Sequence, residues 1–130
     1  MRKFVLLLVL LVVAMLLTAG VAYAQDYAAT KAAGEYHLTL KMKNNPAVVG
    51  ENPATIEVTD AKGNHVPAEV GLHYFMPSMP SMEYEAKAEP RDNVHVAVIR
   101  PTMPGVWKVN VTVRGRDGKT RKAVFDFNAQ

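Results

Sequence analysis

The chain has 130 residues, 15 basic and 12 acidic, with four histidines, seven methionines, one tryptophan and no cysteine. The missing thiol excludes disulfides, a lipid-modified N-terminal cysteine, cysteine nucleophiles, cysteine-rich zinc sites and a blue-copper centre, which needs a thiolate. No HExxH, phosphate loop or serine-elbow pattern is present, so no recognisable set of catalytic residues points to an enzyme.

Met1-Arg2-Lys3 forms a short basic start, followed by an apolar run and then by Ala22-Tyr23-Ala24, the small-x-small pattern that precedes signal peptidase cleavage. Cleavage after Ala24 predicts a periplasmic or secreted protein. Phe4 to Ala24 also carries no charge over 21 residues, long enough to cross a bilayer once, so a retained anchor with the domain outside is the competing reading. The remainder, Gln25 to Gln130, is 106 residues, enough for one domain with one core. Without Arg2 and Lys3, 13 basic residues face 12 acidic ones, a net +1, so the basic precursor says little about partners. The cluster Arg114, Arg116, Lys119, Arg121 and Lys122 is interrupted by Asp117 and two glycines and reads as a solvated hairpin.

Residues 25–34 are alanine-rich with little apolar bulk and are expected to be a flexible leader; the domain is expected over 35–128. Glu35 to Met42 alternates, with Tyr36, Leu38, Leu40 and Met42 on one face and His37 on the wet face. Asn44-Asn45-Pro46 and Gly50-Glu51-Asn52-Pro53 predict irregular loop. Further strands are expected at Ala54 to Asp60, Ala68 to Phe75, Glu83 to Glu89, Val94 to Arg100, Val106 to Val113 and Thr120 to Asn128. In the fifth of these seven strands Val94, Val96 and Val98 are assigned to the core, which turns His95 and Ile99 outward. Trp107, Phe125, Leu38, Leu72 and Val109 complete the expected core. Seven short strands separated by proline- and glycine-rich turns predict an all-β, immunoglobulin-like antiparallel β-sandwich, with a small barrel as the alternative.

Function concentrates in two proline-containing loops. Met76-Pro77-Ser78-Met79-Pro80-Ser81-Met82 and Thr102-Met103-Pro104 hold four thioethers, and prolines at 77 and 80 argue against helix or central strand there. Soft thioethers with imidazole favour copper(I). His73 and His95, both placed outward by parity, join Met76, Met79, Met82 and Met103 as the candidate metal ligands. Two other readings use the same residues: an apolar cap on one end of the sandwich, or a docking patch of Phe75, Met76, Met79, Met82 and Ile99 that binds a membrane protein without metal. A hydrolytic grouping of His73 with Ser78 or Glu83 has only proximity in its favour.

Gly63-Asn64-His65-Val66-Pro67, Met76-Pro77-Ser78-Met79-Pro80 with Met82, and Met103-Pro104-Gly105-Val106-Trp107 together resemble the YtkA-like domain, a group related to the FixH-like proteins. The resemblance spans about Gly34 to Phe127. It implies an extracytoplasmic immunoglobulin-like domain associated with copper handling or with assembly of respiratory oxidases, whose partner is a membrane copper transporter or an oxidase-assembly protein. FixH-like members keep a membrane anchor.

Overall fold

The computed structural model describes residues 26–130; the expected signal or anchor segment, residues 1–24, lies outside them. Eight strands follow one another: β1 (Tyr27–Ala33), β2 (Tyr36–Met42), β3 (Asn52–Thr59), β4 (Ala68–Met76), β5 (Met79–Arg91), β6 (Val94–Ile99), β7 (Gly105–Gly115) and β8 (Thr120–Ala129). They form one continuous antiparallel sheet in the order β1-β2-β3-β6-β5-β4-β7-β8. The sheet doubles over because β5 serves both halves. Its first part, from Met79 to Ala88, pairs with β4, and its last three residues, Glu89 to Arg91, pair with β6. The two outer strands approach each other, and the Tyr27 hydroxyl donates to the Asp126 carbonyl at 2.8 Å. The result is an all-β sandwich with nearly closed edges.

Burial follows the period of two that a half-buried strand demands. In β7, Trp107, Val109, Val111 and Val113 are fully buried while Lys108, Asn110 and Thr112 are only partly covered. Leu38, Leu40, Ile56 and Val58 fill the facing side and Phe125 lies beside Val109 on the neighbouring strand, each worth about 1.5–3 kcal/mol of transfer free energy. Trp107 stacks on Phe127 with ring centroids 6.4 Å apart, and its indole N–H donates to the Met103 carbonyl at 3.0 Å. The largest core side chain therefore also holds a loop.

Three expectations need correction. Residues 27–33 are not a loose leader but β1, paired along its whole length with β2; the sandwich has eight strands rather than seven, and the domain starts before residue 35. Alanines add little area, but ladder hydrogen bonds, the Tyr27 anchor, the burial of Ala33 and the ammonium of Lys31 lying 5.8 Å from the centre of the Phe125 ring suffice to seat an edge strand. Second, β6 presents the opposite face to the one expected. Its register with β3 sets Ile56 against His95, Ala54 against Ala97 and Asn52 against Ile99, and directly opposed residues share a face. Since Asn52, Ala54 and Ile56 point inward, Ile99 (0% exposed) and His95 (2%) do too, leaving Val94, Val96 and Val98 half-buried. Third, Met76 to Met82 is a tight hairpin rather than an extended loop. Pro77-Ser78 makes the turn, a register shift at Phe75/Met76 absorbs the irregularity, and Met79, Pro80, Ser81 and Met82 already belong to β5.

The hairpin between β7 and β8 also departs from a fully solvated cluster. Arg114, Arg116, Lys119 and Lys122 are exposed, but the Arg121 side chain is buried. Its guanidinium pairs with Glu35 and with Asp117 (2.9 Å) and lies 4.2 Å from the centre of the Tyr36 ring. The bond from Arg121, aided by the Lys119 N–H, holds the Asp117 carboxyl down at about 2, and the same guanidinium lowers Glu35.

Because the folded Asp117 pKa lies below its unfolded value of about 3.9, this stabilisation is complete above that value and is lost as pH falls through about 2. The thermal midpoint, followed by circular dichroism, is expected to fall as pH drops from about 4 towards 2, and Asp117→Asn is expected to flatten that fall. The inverted face of β6 has its own test. Ile99→Ala is expected to cost about 2–5 kcal/mol in denaturant unfolding, whereas Val98→Ala is expected to cost clearly less; comparable losses at the two positions would contradict the observed register.

Candidate metal centre

Strict alternation of strand direction gathers the starts of β1, β3, β5 and β7 and the ends of β2, β4, β6 and β8 at one pole. Three connections cross this pole: residues 43–51, the Pro77-Ser78 turn and residues 100–104. Backbone hydrogen bonds tie residues 43–51 to the 100–104 connection (Gly50 N to Pro101 O, 3.0 Å) and to the end of the chain (Val49 N to Gln130 O, 2.9 Å).

Both methionine segments meet here. The Thr102 hydroxyl donates to the Met82 sulfur at 3.1 Å and lies 3.0 Å from the Tyr84 hydroxyl. Met103 follows directly, its carbonyl fixed by Trp107. Gly105 stands at φ +133°, and a Cβ there would lie 2.9 Å from the Met76 methyl group, so the 100–104 connection closes tightly over Met76. The four thioethers differ in access. Met76 is 4% exposed and belongs to the core, which is the capping role. Met82 is half-buried against that core, while Met79 (41%) and Met103 (37%) are exposed.

The histidines are elsewhere. His73 does point outward, with Phe75 stacked beside it at 5.5 Å between centroids, but on the face opposite to Tyr74, Met76, Met82 and Tyr84. Asn110 Nδ2 donates to His73 Nδ1 at 3.3 Å, so Nε2 carries the proton and donates to Glu83 at 3.1 Å. Both ring nitrogens are engaged away from the sulfurs. His95 is not outward at all: it is buried, and its Nε2 lies 2.9 Å from the Ala68 carbonyl. Ala68 and Met76 are opposite ends of β4, so the carbonyl that holds His95 lies about 26 Å along that strand from Met76 at the usual rise per residue. His73 and His95 cannot meet across neighbouring strands because β5 separates β4 from β6. The docking patch is corrected likewise, since Ile99 and Met76 are both buried.

The accessible donors at the pole are thus the sulfurs of Met79, Met82 and Met103. Among the described residues no three His, Asp or Glu side chains converge as metal ligands. A soft, sulfur-only donor set suits copper(I) and does not suit magnesium or calcium, which take oxygen ligands. Thr102, Tyr84 and Asn52, which organise this pole, carried no signal in the sequence beyond the turn-forming residues beside them.

Comparison with known proteins agrees with this architecture. No curated protein matches the sequence significantly. Two crystal structures share the fold: FetP of a uropathogenic E. coli strain, studied as isolated after expression in the periplasm, with a TM-score of 0.59, 10% identity and coverage of 80% of this chain and 95% of that one; and the soluble domain of PmoD from Methylocystis sp. (Rockwell), with a TM-score of 0.55, 10% identity and coverage of 78% and 96%. The family model described as YtkA-like matches residues 30–112, from within β1 to within β7, so that the chain belongs to the YtkA-like family.

Proposed function

We propose that this protein is a non-catalytic, extracytoplasmic copper(I)-handling domain that carries the ion on Met79, Met82 and Met103 and passes it to a membrane protein partner. The observation that carries the reading is the contact of Thr102 with the Met82 sulfur. It brings the two methionine segments side by side, with the Met82 sulfur beside an exposed hydroxyl while the side chain is packed against the core. With no cysteine and no carboxylate among the donors, the site is neutral and soft, favouring copper(I) while leaving it easy to release. Met82 is held in place and Met79 stands at the hairpin tip, a pairing of fixed and adaptable ligands suited to ligand exchange. His73 and His95 stand outside this set.

The surroundings favour transfer to a partner. Every large exposed hydrophobic side chain among the described residues, Val48, Val49, Met79, Tyr84, Met103 and Val106, lies at this pole, where the described chain also begins, with Tyr27 opposite Met42. An apolar rim around an ion site lets a partner dock and ligate in one step. The same rim supports the second reading, a metal-free interaction module that docks through this end. Membership of the YtkA-like family and the likeness to a FetP expressed in the periplasm support the export that Met1 to Ala24 predicts.

Leucine replaces methionine with nearly the same volume and apolarity, so the triple variant Met79→Leu, Met82→Leu, Met103→Leu separates the two readings. Titration of copper(I) against a competing chelator is expected to show one equivalent lost in the triple variant, with thermal stability nearly unchanged. Undiminished binding would leave the docking module as the function of this pole.

A further inference from the structure

At the opposite pole the structure places a second group of soft donors that the methionine site does not use. We propose that His65 and His95 form a separate two-imidazole site for a monovalent d10 cation of the copper(I) class.

The argument begins with the tautomer of His95. The Ala68 carbonyl can only accept, so the 2.9 Å contact requires the proton on His95 Nε2. Nδ1 is then an unprotonated lone-pair donor. It is buried and has no hydrogen-bond partner, in an interior where such atoms are almost always satisfied. A ring fixed by donating one nitrogen to a backbone carbonyl while offering the other is the arrangement that metal-ligating histidines adopt. Occupying Nδ1 with a cation displaces no proton from His95.

A second imidazole is already close. The rings of His65 and His95 are 6.4 Å apart between centroids, with their planes inclined by 32°. Two metal–nitrogen bonds of about 2.0 Å, with each ring centre about 1 Å behind its nitrogen, require a separation of about 6 Å. The segment carrying His65 is built rather than slack. Asp60 Oδ1 accepts from Lys62 N and Asn64 N, both at 2.9 Å, Gly63 takes the left-handed conformation at φ +82°, and Val66 N donates to Val58 O at 2.9 Å. His65 itself bridges to Thr59 and is half-buried, which leaves a route from solvent.

Coordination number selects the ion. Among the described residues no third His, Asp or Glu completes a cluster here, and zinc takes four ligands. Copper(I) accepts a low-coordinate pair of neutral nitrogens. This inference stands independently of the thioether pole.

The test uses the full chain with silver(I), a redox-inert probe of the same class, observed through the imidazole nitrogens by NMR. Addition of one equivalent is expected to move the His95 Nδ1 resonance from its unprotonated position, together with a shift at His65. His65→Gln, at a half-exposed position that need not disturb the core, is expected to weaken that binding by roughly tenfold or more. The triple methionine-to-leucine variant is expected to leave the histidine shifts intact while losing its own equivalent of metal. Unmoved histidine signals in the wild type, an undiminished His95 response in His65→Gln, or loss of that response in the triple variant would each overturn the proposal. Failure of the thioether site alone appears differently, as a single equivalent in the wild type that His65→Gln removes and the triple variant retains.

Discussion

Asn52 is the pivot of the molecule. Its side chain is fully buried, a costly place for an amide unless each of its groups finds a partner. Oδ1 accepts from Val48 N (2.8 Å) and Asn44 Nδ2 (3.4 Å), while Nδ2 donates to the carbonyls of Val48 (2.8 Å), Gly50 (3.1 Å) and Ile99 (3.1 Å). One residue thus folds the 43–51 connection onto itself and fastens it to the end of β6. Two consequences follow from that attachment. Gly50 is brought within hydrogen-bonding distance of Pro101, which directs residues 100–104 over Met82. The pairing of Asn52 with Ile99 also fixes the face of β6, and with it the burial of His95 four residues earlier. Both candidate metal poles inherit their geometry from the same amide.

Much of the architecture was legible where one face of a strand is apolar and the other polar. Tyr36 to Met42 and Val106 to Val113 alternate clearly, and their inward residues are the ones buried, apart from the half-buried Tyr36. Legibility ended where both faces resemble each other. In β6, valines alternate with a histidine, an alanine and an isoleucine, so parity cannot choose a side; the partner strand does, and pairing is a long-range property that local pattern does not contain. β1 was invisible for the opposite reason, having too little apolar area to mark any face. Arg121 could not be distinguished from its exposed basic neighbours because its burial depends on Glu35, 86 positions away.

The candidate site divides along the same line. Two methionine-bearing segments at one end of a sandwich were an expectation that follows from strand alternation, and the structure does bring Met82 beside Thr102. Which sulfurs face water was not legible. Met76 and Met82 share the inward parity of Tyr74 and Tyr84, but the Gly105 approach closes over the first while the Thr102 hydroxyl reaches the second. His95 was misplaced because its face was inferred from a strand treated alone. His73 faces outward as expected and is then claimed by Asn110 and Glu83 on the neighbouring strands.

Separation of the two donor sets has a physical rationale. Thioethers stay neutral at any pH the protein meets, so a sulfur site at an exposed pole keeps its donors without competition from protons. A histidine, by contrast, offers a lone pair only on the nitrogen that the hydrogen bond of its other nitrogen leaves unprotonated. That distinction matches what the fold does with each. Met79 and Met103 are left in solvent among Val48, Val49 and Val106, where a partner can reach them. His95 is enclosed with its proton pinned to the Ala68 carbonyl. On the proposed reading an exposed sulfur pole suits exchange and an enclosed imidazole suits retention, with about 26 Å of β4 between Met76 and the Ala68 carbonyl that holds His95.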